Sequence, residues 1–189
     1  IQGSRINLGK GNDSVYMNGT DVGSGTMLSG TTIYGGAGKD LLLKAASAVD
    51  GGTVKAQLLY ATASESTVSA YDTVAVDFAK SGSFDFRYEP AGLDRATFTA
   101  NDASGTNGMV VFTGTFATTM TARAAVVAAN TSTGEAAAFV DGAGISYLFV
   151  KGSTENLVVQ VGSAAVSGAT VGGSLTLNAS NNQITLNLG

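Results

Sequence analysis

The chain has 189 residues, 44% of them hydrophobic and only 13% charged, with 26 Gly, one Pro and no Cys, His or Trp. Ordinary domains are about 25% charged, so Ser, Thr, Asn and Gly must supply much of this polar surface; the missing Cys and His exclude disulfides, thiolate or imidazole metal sites, thiol nucleophiles and the commonest general base. The net charge is −4 and the ten Lys and Arg are spread singly from Arg5 to Lys151, so no nucleic acid partner is expected, and no apolar run is long enough for a transmembrane segment.

The chain opens on Ile1-Gln2-Gly3, neither an initiator Met nor a signal peptide, and is expected to be a fragment or processed product whose targeting segment lies outside it. Residues 1–53 are the richest in Gly and Asp and are expected to form one unit, with a boundary near Asp50-Gly51-Gly52. Residues 54–189 carry more Ala, Val, Thr and Phe and predict a larger β-rich domain. Its strands are expected within 54–62, 72–79, 83–88, 96–100, 109–116, 136–140, 145–151 and 156–161, where apolar residues alternate or run on at strand length. Phe84, Phe86 and Tyr88 alternate with Asp85, Arg87 and Glu89, which predicts an aromatic core face and a charged outer face on one strand. Residues 121–129 hold Ala, Arg and Val without Gly or Pro and suit a short helix as well as a strand. Near the end, 174–178 and 183–188 flank Ala179-Ser180-Asn181-Asn182, a link suited to a hairpin. Irregular glycine spacing beyond residue 54 favours a sandwich-like or mixed domain over a regular solenoid.

One motif carries chemistry. Gly35-Gly36-Ala37-Gly38-Lys39-Asp40-Leu41-Leu42-Leu43 satisfies every specified position of the nonapeptide G-G-x-G-x-D-x-U-x of calcium-binding parallel β-rolls. Leu8-Gly9-Lys10-Gly11-Asn12-Asp13-Ser14-Val15-Tyr16 satisfies all but the first Gly. In such a unit the glycines permit a tight turn whose carbonyls face the metal, and the Asp supplies a hard carboxylate ligand. The large apolar residue, Val15 or Leu42, starts a strand that points inward. The candidate ligands for Ca2+ are therefore Gly9, Gly11, Asp13, Gly36, Gly38 and Asp40.

Asp13 and Asp40 lie 27 residues apart, three nonapeptide lengths. Stacked calcium loops in a regular roll recur at two lengths, so a simple count puts the two aspartates on opposite sides. One unit inserted within 17–30 would bring them back into register; alternatively Asp21 and Asp50 supply partner carboxylates from degenerate turns. In a competing account both segments are Gly-Asp turns of ordinary hairpins, with the Asp side chains bonded to nearby backbone N–H groups.

On these motifs residues 6–50 resemble a degenerate RTX-type β-roll, as found in type I-secreted proteins and Gram-negative surface-layer proteins. Phe139-Val140-Asp141-Gly142, Ile145 to Val150 and Asn156 to Val161 are also similar to strand pairs that close many RTX-type proteins, with Asn156 standing where an acidic residue is expected. The resemblance implies secretion without an N-terminal signal, folding driven by extracellular Ca2+, and residence at the bacterial cell surface.

Catalysis without His or Cys would fall to Asp, Glu, Lys or Tyr. Glu65, Asp72, Asp77, Asp85, Glu89, Asp94 and Asp102 cannot be paired across a cleft from sequence and are expected on solvated faces or in turns. Gly142-Ala143-Gly144-Ile145-Ser146 lacks the order of a nucleophile elbow, and the Gly35 segment lacks the full phosphate-loop pattern. The chain is therefore not expected to be an enzyme. The expected fold is all-β, a short calcium-binding parallel β-roll (1–53) followed by a larger β-sandwich-like or solenoid domain (54–189). The expected role is a calcium-stabilised structural component of an extracellular layer or appendage, assembling into a homo-oligomer or polymer, with cell-surface polysaccharide as a further partner. The alternative is an adhesin or ligand-binding module for glycan, ice or a host surface, to which Thr115, Thr118, Thr119 and Thr121 would contribute.

Overall fold

The computed structural model describes residues 3–17, 31–44, 57–75, 84–90, 92–113, 118–161, 174–178 and 180–187. Among the described residues seven short strands come first: β1 (Arg5–Asn7), β2 (Ser14–Met17), β3 (Thr32–Tyr34), β4 (Leu41–Lys44), β5 (Gln57–Tyr60), β6 (Asp72–Ala75) and β7 (Phe84–Tyr88). They alternate between two sheets. β1, β3, β5 and β7 pair in parallel in that order in one sheet, and β2, β4 and β6 do so in the other. Each strand thus hydrogen-bonds to the strand after next, and two consecutive strands with their turn form one rung of a stack. The parallel pairing requires the chain to cross between sheets and return, so the turns at 8–13 and 35–40 do not link hairpins.

The remaining strands close the far side of the stack. They are β8 (Asp94–Arg95), β9 (Phe98–Thr99), β10 (Ala103–Thr106), β11 (Met109–Phe112), β12 (Glu135–Val140), β13 (Ser146–Val150), β14 (Leu157–Val161), β15 (Ser174–Asn178) and β16 (Gln183–Asn187). β14 pairs in parallel with β6, then β13 and β12 follow antiparallel, leading on to β11, β10 and β9, with β8 beside β12. β16 lies antiparallel to β7, and β15 to β16, the latter two forming the hairpin expected from 174–188. The chain is mostly β, its two sheets are mixed, and strands from both sides of residue 53 share each sheet.

Apolar columns run across the rungs. Ile6, Ile33, Leu58, Phe86 and Ile184 stand opposite one another in successive strands of the first sheet. From Ile33 onward these side chains are buried against Val74, Ala138, Leu148 and Val159 of the second sheet. Fully burying such a side chain contributes about 1.5–3 kcal/mol, so the later rungs are held by their interior. Ile6, Leu8 and Val15 of the first rung are only half-buried, and that rung depends more on its turn. Phe86 and Tyr88 face the core while Arg87 and Glu89 are exposed, as their alternation predicts.

Residues 120–129 resolve as a helix, α1 (Met120–Ala129). Thr119 caps it, Oγ1 accepting the Ala122 N–H at 3.3 Å. Met120, Ala124 and Val127, spaced as one helical face, cover Ala137, Phe139, Tyr147, Phe149 and Val158 on the outer side of the second sheet. β13 is consequently buried on both faces.

Candidate functional site

The turns at 8–13 and 35–40 stack in register on one side of the molecule. The Ala37 N–H donates to the Gly9 carbonyl at 3.1 Å and the Gly11 N–H to the Ala37 carbonyl at 2.9 Å, around a parallel bridge between Lys10 and Ala37. The Lys39 N–H donates to Asn12 Oδ1 at 3.0 Å. Gly36 lies against Gly9 and Gly38 against Gly11: a Cβ on either would stand 1.8 Å from the Gly9 oxygen or 1.7 Å from the Gly11 oxygen. Their φ values of +85° and +147° are also unfavourable for any other residue. Asp13 and Asp40, 27 residues apart, therefore stand on the same side, not on opposite sides as the simple count of nonapeptide lengths puts them.

Asp13 and Asp40 belong to a ladder of three aspartates. The Asp13 N–H donates to Asp40 Oδ1 at 2.9 Å, and the Asp40 N–H to Asp72 Oδ1 at 2.8 Å. These bonds join one rung to the next, rather than closing a turn on itself as the hairpin account requires. At the far end the Asp72 N–H is taken by Ser66 Oγ at 2.8 Å, and the Ser66 hydroxyl donates to the Val158 carbonyl.

Two carboxylate oxygens in this ladder, Asp13 Oδ2 and Asp40 Oδ2, are buried and accept no hydrogen bond. Burial raises the Asp40 carboxyl above its usual range, the Asp13 N–H opposes this and the Asp13 charge adds to it. Burial pushes Asp72 up to about 7 against the pull of the Asp40 N–H, with the Asp40 charge adding to the rise. Burial, and after it the charge and hydrogen bonding of the neighbouring Asp72 carboxylate, hold the proton of the fully buried Tyr60 hydroxyl firmly, although the hydroxyl falls short of full hydrogen-bond geometry. Tyr60, Asp40, Asp72 and Gly35 border a cavity of about 10 Å3 between the sheets, the space of a single water molecule.

The donor set is all oxygen, which suits a hard cation such as Ca2+ and not a transition metal. Side chains do not make a cage unaided: among the described residues no three metal-ligating Asp or Glu gather closely enough to hold an ion, so backbone carbonyls would have to complete one. The structure brings together Gly9, Gly11, Asp13, Gly36, Gly38 and Asp40, whereas Asp21 and Asp50 lie outside the described residues. Asp72, Tyr60 and Ser66 were not among the sequence candidates for the metal. Asp72 left a trace: it immediately precedes Thr73-Val74, as Asp13 precedes Ser14-Val15 and Asp40 precedes Leu41-Leu42.

A wider cavity of about 550 Å3 lies beside the 3-10 turn Ala63–Glu65, bordered by Thr62, Ser64, Tyr88, Lys151 and Glu155 among others. Among the described residues Glu155 is its one acidic lining residue. Of the other carboxylates weighed for acid–base chemistry, Glu65 accepts the Ala61 N–H at 2.8 Å, Asp85 the Thr185 hydroxyl at 2.6 Å and Asp94 the Arg95 N–H at 2.7 Å, while Asp77 lies outside the described residues. Thr119 and Thr121 sit at the start of α1 rather than on a strand face, and Thr115 also lies outside the described residues. Compared with protein-family models and with curated proteins, the chain matches none.

Proposed function

We propose that this chain is a non-catalytic structural module of an extracellular bacterial surface protein, whose first rungs form a parallel β-roll stapled by Ca2+. The observation that carries the reading is the pair of buried, unpartnered oxygens, Asp13 Oδ2 and Asp40 Oδ2, beneath two glycine-rich turns stacked in register. Leaving carboxylate oxygens buried without partners is costly, by several kcal/mol for a fully desolvated charge. Calcium takes six to eight oxygens from carboxylates and carbonyls together, and turns this rich in glycine offer both. The ion would act where the apolar core is thinnest, at the first rung, and so couple metal binding to folding. Millimolar calcium outside a cell is sufficient for a weak site of this kind. The resemblance of the two nonapeptides to RTX-type rolls supports the surface location, and the strands from β8 onward serve as a sandwich-like cap on the roll.

The test is titration calorimetry with Ca2+, alongside thermal melts in Ca2+ and in chelator, on the native chain and on Asp40→Ala. The native chain is expected to bind calcium at up to millimolar concentration and to melt several degrees higher with it, and Asp40→Ala to lose most of that shift. Absence of any calcium-dependent shift in the native chain would overturn the reading. A second reading, a ligand-binding module, draws on the hydroxyl-rich 550 Å3 cavity and would be favoured by saturable binding of oligosaccharide there.

A further inference from the structure

The aspartate ladder is finished at one end and unfinished at the other. Between rungs, each Asp receives on Oδ1 the backbone N–H of the Asp one rung earlier, as Asp40 does from Asp13 and Asp72 from Asp40. Asp13, in the first rung, receives none: its carboxylate accepts no hydrogen bond from any described residue, and Oδ2 is buried. The glycines repeat the pattern. Gly36 and Gly38 lack a Cβ where the carbonyls of Gly9 and Gly11 press against them. Gly9 and Gly11 have the same backbone hand, φ +93° and +129°, and a Cβ on them would meet nothing within 4 Å. The first turn therefore presents outward the same shape that the second turn uses to receive the first. Among the described residues β1 and β2 are the terminal strands of their sheets, and Ile6, Leu8 and Val15 beneath them are only half-buried.

We propose that the outer face of this first rung is a docking surface for one further strand–turn–strand segment of the same chemistry, Gly-x-Gly-x-Asp between short aliphatic strands, laid parallel to β1 and β2. The segment's Asp-position N–H would donate to Asp13, its turn carbonyls would sit over Gly9 and Gly11, and its aliphatic residues would cover Ile6, Leu8 and Val15. This continues the interface already present between the first two rungs. A second copy of the described rungs does not supply it. The outer edges of β7 and β6 are taken by β16 and β14, and the Asp72 N–H by Ser66. A copy docked head to head would offer an Asp13 N–H already donated to Asp40. The pattern Gly-x-Gly-x-Asp occurs in this sequence only at 9–13 and 36–40, so the occupant is a separate polypeptide segment with a free N–H at the Asp position.

The surface is tested by placing a second copy of residues 4–30 directly before Ser4 of the full chain, one 27-residue step upstream. The graft is expected to raise the melting temperature by at least about 4 °C and to slow amide exchange in β1 and β2. The same graft carrying D13P in the added copy alone, which removes the donating N–H, is expected to lose that gain. A graft that gains nothing, or gains equally with D13P, overturns the proposal, as does sedimentation showing that the ungrafted chain covers this face by dimerising. The docking contacts involve no metal, so the gain is expected in chelator too, and its presence there with no calcium effect would sink the calcium reading alone.

Discussion

The backbone N–H of Asp40 donates to Oδ1 of Asp72 at 2.8 Å, across 32 residues of sequence. The bond ties the motif-bearing second turn to a rung that carries no motif, and it places two buried carboxyls side by side. Burial resists charge on both, so the interior of this stack favours the protonated carboxyls.

In the absence of calcium, stability is expected to fall as pH rises from about 4 to about 7. Asp72 moves from 3.8 as the reference value to about 7 in the fold. Below the lower value both states are protonated and the contribution is intact. Between the two, the unfolded chain has released a proton that the folded chain retains, so each step upward favours unfolding, until the loss levels off above about 7. The size is at most about 4 kcal/mol. Asp72→Asn keeps an oxygen for the Asp40 N–H and removes the charge, so denaturant midpoints of this variant should vary far less across that range. A stability that climbs between pH 4 and 7 in chelator would contradict the burial of this ladder.

Gly38→Ala is expected to destabilise the chain by about 2–5 kcal/mol, combining left-handed backbone strain with a clash against the Gly11 carbonyl. Gly144→Ala, at φ +80° in open space, should cost only about 1–2 kcal/mol. Urea denaturation of the two variants separates strain from close approach. Similar losses for both would mean that the turns do not stack as tightly as described.

Ser66→Ala should cost about 1–3 kcal/mol, because it strands the buried Asp72 N–H and removes the donor to the Val158 carbonyl. The diagnostic measurement is amide exchange at Asp72, which should quicken relative to its neighbours on β6.

Tyr60→Phe is expected to leave stability unchanged or raise it by about 1 kcal/mol, since the hydroxyl it deletes is buried without a hydrogen bond of full geometry. A loss larger than that in thermal melts would show that the hydroxyl does bond to Asp72 in solution.

Much of this molecule could be read from local rules. The Gly-x-Gly-x-Asp turns are legible because a left-handed backbone admits few residues besides glycine. The face alternation of Asp85 to Glu89 and the hairpin at 174–187 follow from a two-residue period and a polar link. α1 was ambiguous, since Ala favours a helix and Val a strand; the Thr119 cap and the apolar outer face of β12–β14 settle it. The ladder was only half legible. Asp13 and Asp40 carry a motif, but their register depended on the return path through 18–30, whose length admits more than one closure. Asp72 and Ser66 enter the site through partners that no short-range pattern specifies: Asp40 is 32 residues from Asp72, and Val158 is 92 from Ser66. Sequence patterns thus announced which turns are chemically unusual, whereas only the packing of distant strands decided which carboxylates share the interior, because burial and hydrogen-bond pairing are properties of the assembled stack.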